Sequence, residues 1–189
     1  MNTTSKQLTE LTHVERLLHA LESPHGKLLA GDRPDVIVEL DGRRVGIEVT
    51  IFHSDETITS KGSPARAAEQ KANREFPNRP CPSWQTLDPT EGIVARIIDK
   101  IAVSEKYDRS AIDELRLLIV TSVGIPGAVA STSAIPAFVN LDKLNAQTHE
   151  VLRQSKFSVV YIHGHLSRSL FYWLRSSSWQ TQSLPELPA

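Results

Sequence analysis

The hydrophobic residues near the start of the chain follow first a helical period and then a period of two. They recur every three or four positions over residues 7–22, which predicts a helix with an apolar stripe made of Leu8, Leu11, Val14, Leu18 and Leu21. Beyond Ser23-Pro24, valine and isoleucine alternate with polar residues and predict strands over residues 27–30, 35–40 and 44–51. The Asp41-Gly42 pair between the last two strands is typical of a two-residue hairpin turn.

The rest of the chain alternates helices with strands. The pattern predicts an alanine-rich helix over 65–76, a proline-rich loop over 77–90, a helix from a cap at Asp88 to about residue 106, a buried strand over 115–121, a helix around 141–152, and strands over 157–162 and 169–174. The helix that ends near residue 106 has an apolar stripe made of Ile93, Val94, Ile97, Ile98, Ile101 and Ala102. This order of elements predicts an α/β fold with a mixed central sheet flanked by helices.

Size and composition are those of one globular domain. The chain has 189 residues, 40% hydrophobic and 23% charged, and we predict one domain over 1–176 with a flexible polar tail over 177–189. No apolar run approaches the roughly 20 residues that span a bilayer, so we expect no membrane partner. A single cysteine, Cys81, and a polar N-terminus predict a reducing, cytoplasmic location. The net charge of −1 counts mildly against a purely electrostatic nucleic-acid binder, but an enzyme can concentrate its positive charge around one cleft.

The predicted hairpin brings two acidic residues together. With a two-residue turn, Leu40 pairs with Arg43, and the same register places Asp35 opposite Glu48. Side chains directly opposite in a sheet have Cβ atoms about 4.5–5.5 Å apart, and like charges at that distance destabilise the pair. The repulsion has to be relieved by a shared proton, by a nearby lysine or arginine, or by a bound cation.

The apolar alternation supports this register. One face carries the expected core residues Val36, Val38, Leu40, Val45, Ile47, Val49 and Ile51. The other face carries Asp35 and Glu48, and we expect Gly46 to leave open space beside Glu48. Ligation by carboxylate oxygens alone suits Mg²⁺, Mn²⁺ or Ca²⁺ better than zinc. Two other interpretations stay open: Asp35 caps a turn while Glu48 faces solvent, or a longer loop shifts the pairing.

The pattern Pro34-Asp35, twelve intervening residues, then Glu48-Val49-Thr50 resembles the PD-(D/E)XK nuclease superfamily. The predicted elements over residues 8–121 also resemble the αβββαβ core of that family. The resemblance implies a restriction-endonuclease-like fold and a metal-dependent nuclease that hydrolyses phosphodiester bonds, mostly in DNA. It implies that Asp35, Glu48 and the Val49 carbonyl bind Mg²⁺ or Mn²⁺, that the partner is nucleic acid, and that a homodimer is an option.

One position departs from the family pattern. The motif lysine belongs two residues after the acid, where this chain has Thr50, and threonine supplies no charge. Either a lysine of the next helix replaces it, with Lys71 the first candidate and Lys61 the second, or the protein is an inactive nucleic-acid- or protein-binding module on the same fold. In the first case the predicted substrate contacts are Thr50, Lys61, Arg66, Gln70 and Arg74. An ordinary solvated helix is the competing interpretation of residues 65–74.

An acid on the first helix often completes the metal site of this family, and the resemblance makes Glu15 the candidate here. Glu15 borders the predicted apolar stripe, three residues before Leu18. The sequence Thr12-x-x-Glu15 is also typical of a helix-capping box, an interpretation that we slightly favour.

Overall fold

A computed structural model describes residues 4–53, 89–122, 139–164 and 169–184, and the statements below concern those residues. They form three helices and seven strands. In chain order these are α1 (Ser5–Ala20), β1 (Leu29–Ala30), β2 (Val36–Leu40), β3 (Arg43–His53), α2 (Thr90–Ser104), β4 (Glu114–Ser122), α3 (Leu141–Gln154), β5 (Val159–Gly164), β6 (Ser169–Leu174) and β7 (Gln180–Ser183). The helix predicted over 65–76 lies outside the described residues.

All seven strands belong to one sheet, in which they follow their order along the chain. Strands β1, β2 and β3 are antiparallel, β3, β4 and β5 are parallel, and β5, β6 and β7 are antiparallel. Helices α2 and α3 lie in the two connections between parallel strands, as parallel pairing requires a crossover. The predicted α/β class with a mixed sheet flanked by helices is therefore confirmed.

The hairpin forms in the predicted register. Leu40 pairs with Arg43, Glu39 with Arg44, and the ladder continues to Val36 and Ile47. Asp41 and Gly42 both have positive φ, 50° and 73°, which is the backbone that a tight turn between twisted strands needs. The chemistry of this turn thus sets which residues face each other at the far end of the hairpin.

The sheet separates two hydrophobic clusters. On one face α1 packs through Val14, Leu17 and Leu18 against the predicted core residues of the hairpin, from Val36 to Val49, with Ile51 partly buried. On the other face α2 and α3 pack over the central strands, and their contacts include Ile93, Ile97, Leu144, Leu152, Leu115 and Leu117. Asp35 and Glu48 belong to this second face by the alternation of the strands.

The space that we expected beside Gly46 is filled. A Cβ atom at this position would lie 2.5 Å from Cγ of Pro34 and 2.8 Å from Cδ1 of Ile112. The prediction of open space was therefore wrong. Glycine is needed here because the Pro34 ring packs directly on the strand, which fixes the residue that precedes Asp35.

Helix α1 differs from its prediction in its start and its buried stripe. Thr4 and Gln7 form the capping box, so the Thr12–Glu15 capping box was a wrong prediction. Leu8 is exposed, and the buried positions are Glu10, Val14, Leu17, Leu18 and Ala20. The buried stripe of α1 therefore includes an acid, Glu10, that the sequence pattern did not assign to it.

Two further boundaries also differ. Helix α2 begins at Thr90 with Pro89 as its N-cap, whereas a cap at Asp88 was predicted; Asp88 lies outside the described residues. Residues 180–183 form β7 and pair with β6, so the predicted loose tail was wrong for this stretch. All four residues of β7 are exposed at the sheet edge. The strand therefore has no buried face, and its sequence shows no alternation of apolar and polar residues.

Candidate metal centre

Asp35 immediately precedes β2, and its side chain accepts a hydrogen bond from β3. Its Oδ2 accepts a hydrogen bond of 2.9 Å from the Val49 amide. In the continued register Val49 lies opposite Pro34, which has no N–H to donate to the Val49 carbonyl. The N–H and C=O of one strand residue point to the same edge, so the Val49 carbonyl points toward the space beside Asp35.

Glu48 lies in the middle of β3, opposite Leu117 of β4. Its side chain is only 5% exposed, and Oε1 accepts a hydrogen bond of 2.6 Å from Nζ of Lys100. The second oxygen, Oε2, is buried and has no partner within ordinary hydrogen-bond geometry among the residues that the structure describes. The Tyr107 hydroxyl lies close enough to lower the pKa of Glu48, but it is neutral. One half of this carboxylate is therefore paired with a cation and the other half is not, although burial makes an incompletely paired charged oxygen costly.

Lys100 reaches Glu48 from α2. It lies three residues after Ile97 and four before Ser104, both of which are fully buried, so it occupies the inward stripe of the helix. The Lys100 side chain is 21% exposed. Its stem packs toward the sheet while the ammonium lies at the pocket, and it is thereby held over Glu48.

A second lysine contacts the acids from the α1 side. Nζ of Lys6 lies 3.0 Å from Oε1 of Glu10 and 3.7 Å from Oδ1 of Asp35. Glu10 and Asp35 are both buried, whereas the Lys6 side chain is 78% exposed. Glu15 is exposed on α1, so the acid of this helix that lies beside Asp35 is Glu10 and the choice of Glu15 was wrong.

Two acids of this cluster, Glu48 and Glu10, have pKa values above their ordinary range. Burial raises the pKa of Glu48 above its ordinary value, the negative charge of Asp35 adds to the effect, and Lys100 opposes it. Burial also raises the pKa of Glu10, against the hydrogen bond from Lys6. The pKa of Tyr107 is raised by burial and by the nearby Glu48, so its hydroxyl stays protonated. Lys100 and Lys6 therefore offset only part of the effect of burial on the pKa values of Glu48 and Glu10.

These residues line one pocket of about 800 Å³. Its walls come from α1, from the segment before β2, from β3 and from the end of α2. Four carboxylates and three cations line it: Glu10, Asp32, Asp35, Glu48, Lys6, Arg33 and Lys100. The remaining wall includes Val49, Thr50 and Tyr107. A pocket with more carboxylates than ammonium and guanidinium groups attracts a cation before it attracts an anion.

The structure therefore brings together Asp35, Glu48, Val49 and Thr50 of the predicted site. The other predicted residues of the site, Lys61, Arg66, Gln70, Lys71 and Arg74, lie outside the described residues. Sequence reasoning missed Lys6, Glu10, Lys100 and Tyr107. A signal existed for two of them, since Glu10 and Lys100 are charged residues at stripe positions of amphipathic helices.

Across the described part of the chain, no three histidine, cysteine or acidic side chains form a ready-made metal-binding group. A cation there would be held by two carboxylates together with backbone or solvent oxygens. None of the helices in the same ranges is long and apolar enough to cross a membrane. Comparisons of the chain with protein-family models, with curated proteins and with solved structures give no match.

Proposed function

We propose that this protein is a metal-dependent nuclease in which Asp35, Glu48 and the Val49 carbonyl hold Mg²⁺ or Mn²⁺. The observation that carries the proposal is the buried Oε2 of Glu48, which has no cationic partner among the described residues, in a pocket that also contains Asp35. Carboxylate and carbonyl oxygens are the ligands that these ions prefer. A divalent cation would also offset the burial and the negative charge of Asp35, which together raise the pKa of Glu48.

The fold supports membership of the restriction-endonuclease-like class only through the order of its elements. A helix, an antiparallel three-stranded unit, a helix and a strand parallel to β3 follow one another as in the αβββαβ core. DNA as the substrate, a cytoplasmic location and a homodimer remain predictions from the resemblance and from composition.

Lys100 takes the role of the motif lysine that Thr50 cannot fill. Its ammonium lies 2.6 Å from Glu48, in the pocket that would receive a phosphodiester. From there it would stabilise negative charge that develops on the phosphoryl oxygens. Lys71 and Lys61 stay untested as alternatives for this role. Thr50 lines the pocket and offers a hydroxyl to the substrate. When bound, the cation would polarise the phosphoryl group and lower the pKa of a water.

The test is a cleavage assay on plasmid and single-stranded DNA with Mg²⁺, with Mn²⁺ and with a chelator. We expect cleavage that needs the metal and falls about 100-fold or more in Glu48→Gln, because a metal ligand is worth several kcal/mol in the transition state. Glu15→Gln is the matched control, since Glu15 is an exposed acid outside the pocket. Full activity in Glu48→Gln would contradict the proposal, provided that circular dichroism shows the fold intact.

Two observations favour a second candidate, a binding module without catalysis. Lys100 already neutralises part of the charge of Glu48, and Thr50 stands where the family has lysine. Calorimetry with Mn²⁺ separates the two candidates. The nuclease requires measurable binding that Glu48→Gln abolishes, whereas a module with a degraded site binds no metal.

A further inference from the structure

The carboxylate of Glu48 has one oxygen in an ion pair and one with no cationic partner among the described residues. Lys100 takes Oε1, while the buried Oε2 of the same group is left for another positive partner. Any cation on Oε2 therefore shares one carboxylate with an ammonium group. The side chain of Glu48 is 5% exposed and that of Lys100 is 21% exposed, so solvent and salt screen the charges of this pair poorly. The two cations repel each other at this position.

We propose that Lys100 couples metal binding to phosphate binding: it weakens the hold of Glu48 on a divalent cation until a phosphodiester anion pairs with the lysine. This inference rests on the proposed function and adds how the binding of metal and the binding of phosphodiester affect each other at its site. A negative phosphoryl group near Lys100 offsets the repulsion between the ammonium and the metal. By linkage, whatever the anion adds to the affinity for the metal, the metal adds to the affinity for the anion.

The charges of the pocket point the same way. Four carboxylates against three cationic side chains disfavour an anion on its own. Lys100 on Glu48 disfavours a divalent cation on its own. Metal and phosphodiester together satisfy both sets of charges, so the binding of each raises the affinity for the other. The site would then bind metal and phosphodiester together more tightly than it binds either one alone.

Lys6 provides an internal contrast. It is also a lysine near the acids, 3.7 Å from Oδ1 of Asp35, but its side chain is 78% exposed. Solvent screens it and it can swing away at little cost. Of these two lysines, Lys100 alone is enclosed enough to influence the metal strongly, so the two should differ in their effect.

The experiment is titration of Mn²⁺ into the full chain by calorimetry, alone and with the dinucleotide thymidylyl-thymidine, whose phosphodiester carries one negative charge. Its uncharged methylphosphonate analogue is the control for base and sugar contacts. Chromatography after each titration checks that the dinucleotide is intact. The variants are Lys100→Met, Lys6→Met and Lys143→Met; Lys143 pairs with Glu91 at a distance of 2.9 Å, outside the pocket.

We expect the anionic dinucleotide to lower the Mn²⁺ dissociation constant of the unaltered protein about tenfold, within the usual range of coupled sites. Lys100→Met should bind Mn²⁺ about tenfold more tightly without dinucleotide and respond little to it. The methylphosphonate should have no effect. Lys6→Met should change the constant by about twofold or less, and Lys143→Met should leave it unchanged.

Unchanged or weaker Mn²⁺ binding in a folded Lys100→Met variant overturns the coupling and leaves the proposed function standing. A lack of Mn²⁺ binding by the unaltered protein, with and without dinucleotide, overturns the proposed function together with the coupling. If Lys100→Met does not fold, Lys100→Gln and the response of the unaltered protein to the dinucleotide decide the matter: an equal response to the charged and uncharged dinucleotides refutes the inference.

Discussion

Two neighbouring strands each carry a glutamate bonded to a cation, and the two pairs behave differently. Glu48 on β3 accepts a hydrogen bond of 2.6 Å from Lys100, and Glu114 on β4 accepts one of 2.7 Å from Arg116. The pKa of Glu48 is nevertheless raised, because burial outweighs the lysine. Burial acts on Glu114 as well, but its hydrogen bonds outweigh it and the pKa is lowered.

The partners of the carboxylates explain the difference. Oε1 of Glu114 also accepts a hydrogen bond of 2.7 Å from Ser158, and Arg116 in turn donates one of 3.3 Å to the Tyr161 hydroxyl. Around Glu114 the other nearby charge is the cation Arg43, whereas around Glu48 it is the anion Asp35. Glu114 belongs to a satisfied structural cluster. The pKa of Glu48 is raised by burial and by the neighbouring anion Asp35, the environment that the proposed cation site requires.

The most direct test of this difference between Glu48 and Glu114 is to neutralise each glutamate in turn. Glu114→Gln should lower the free energy of unfolding by about 2 kcal/mol, because it removes charge-assisted hydrogen bonds from Arg116 and Ser158. Glu48→Gln should change it by less than about 1 kcal/mol in either direction, since the lost lysine contact is offset by relief of burial and of repulsion from Asp35. Urea denaturation at neutral pH measures both.

Glu39→Gln serves as the control for these two variants. Glu39 is an exposed strand residue opposite Arg44 and should change the free energy of unfolding by no more than about 0.5 kcal/mol. Equal losses of unfolding free energy in Glu48→Gln and Glu114→Gln would mean that both ion pairs are structural. The contrast between the two glutamates would then be refuted.

The effect at Glu114 should also depend on pH. The folded state holds the pKa of Glu114 below its ordinary value of 4.5, so its contribution to stability is present above that value and is lost as pH falls through the folded pKa. Arg116 stays charged throughout this range. The gap in unfolding free energy between the unaltered protein and Glu114→Gln should therefore narrow in urea titrations below about pH 4.5. A gap that widens on acidification would contradict the lowered pKa.

Local rules in the sequence were enough for the hairpin and for the pair at its open end. The turn residues Asp41-Gly42 set the register, and alternation then assigned each side chain to a face. Asp35 and Glu48 were thus found together without knowledge of the rest of the fold. The segment from residue 54 to residue 88, in which a replacement lysine was predicted, lies outside the described residues and leaves that prediction untested.

The helical contribution to the pocket was missed because apolar residues were taken to define each buried stripe. In α2, Ile98 is exposed while Lys100 lies in line with Ile97 and Ser104. In α1, Leu8 is exposed while Glu10 is buried. A charged residue on a buried stripe needs a partner. Glu10 has one within its own helix, Lys6 four residues earlier, whereas the partner of Lys100 is Glu48 of β3, which only the packing of α2 on the sheet identifies.

The smallest expected effect tests how completely Glu114 is satisfied. Tyr161→Phe removes the hydroxyl that accepts from Arg116 in a buried position and should lower the free energy of unfolding by about 1 kcal/mol. Tyr172 is the matched control, since it pairs directly with Tyr161 in the sheet and bonds Gln180 in an exposed position. Tyr172→Phe should cost less, because water replaces an exposed hydrogen bond. Equal costs in urea denaturation would show that the Tyr161 hydroxyl adds nothing to the cluster, and the contrast with Glu48 would then rest on Ser158 alone.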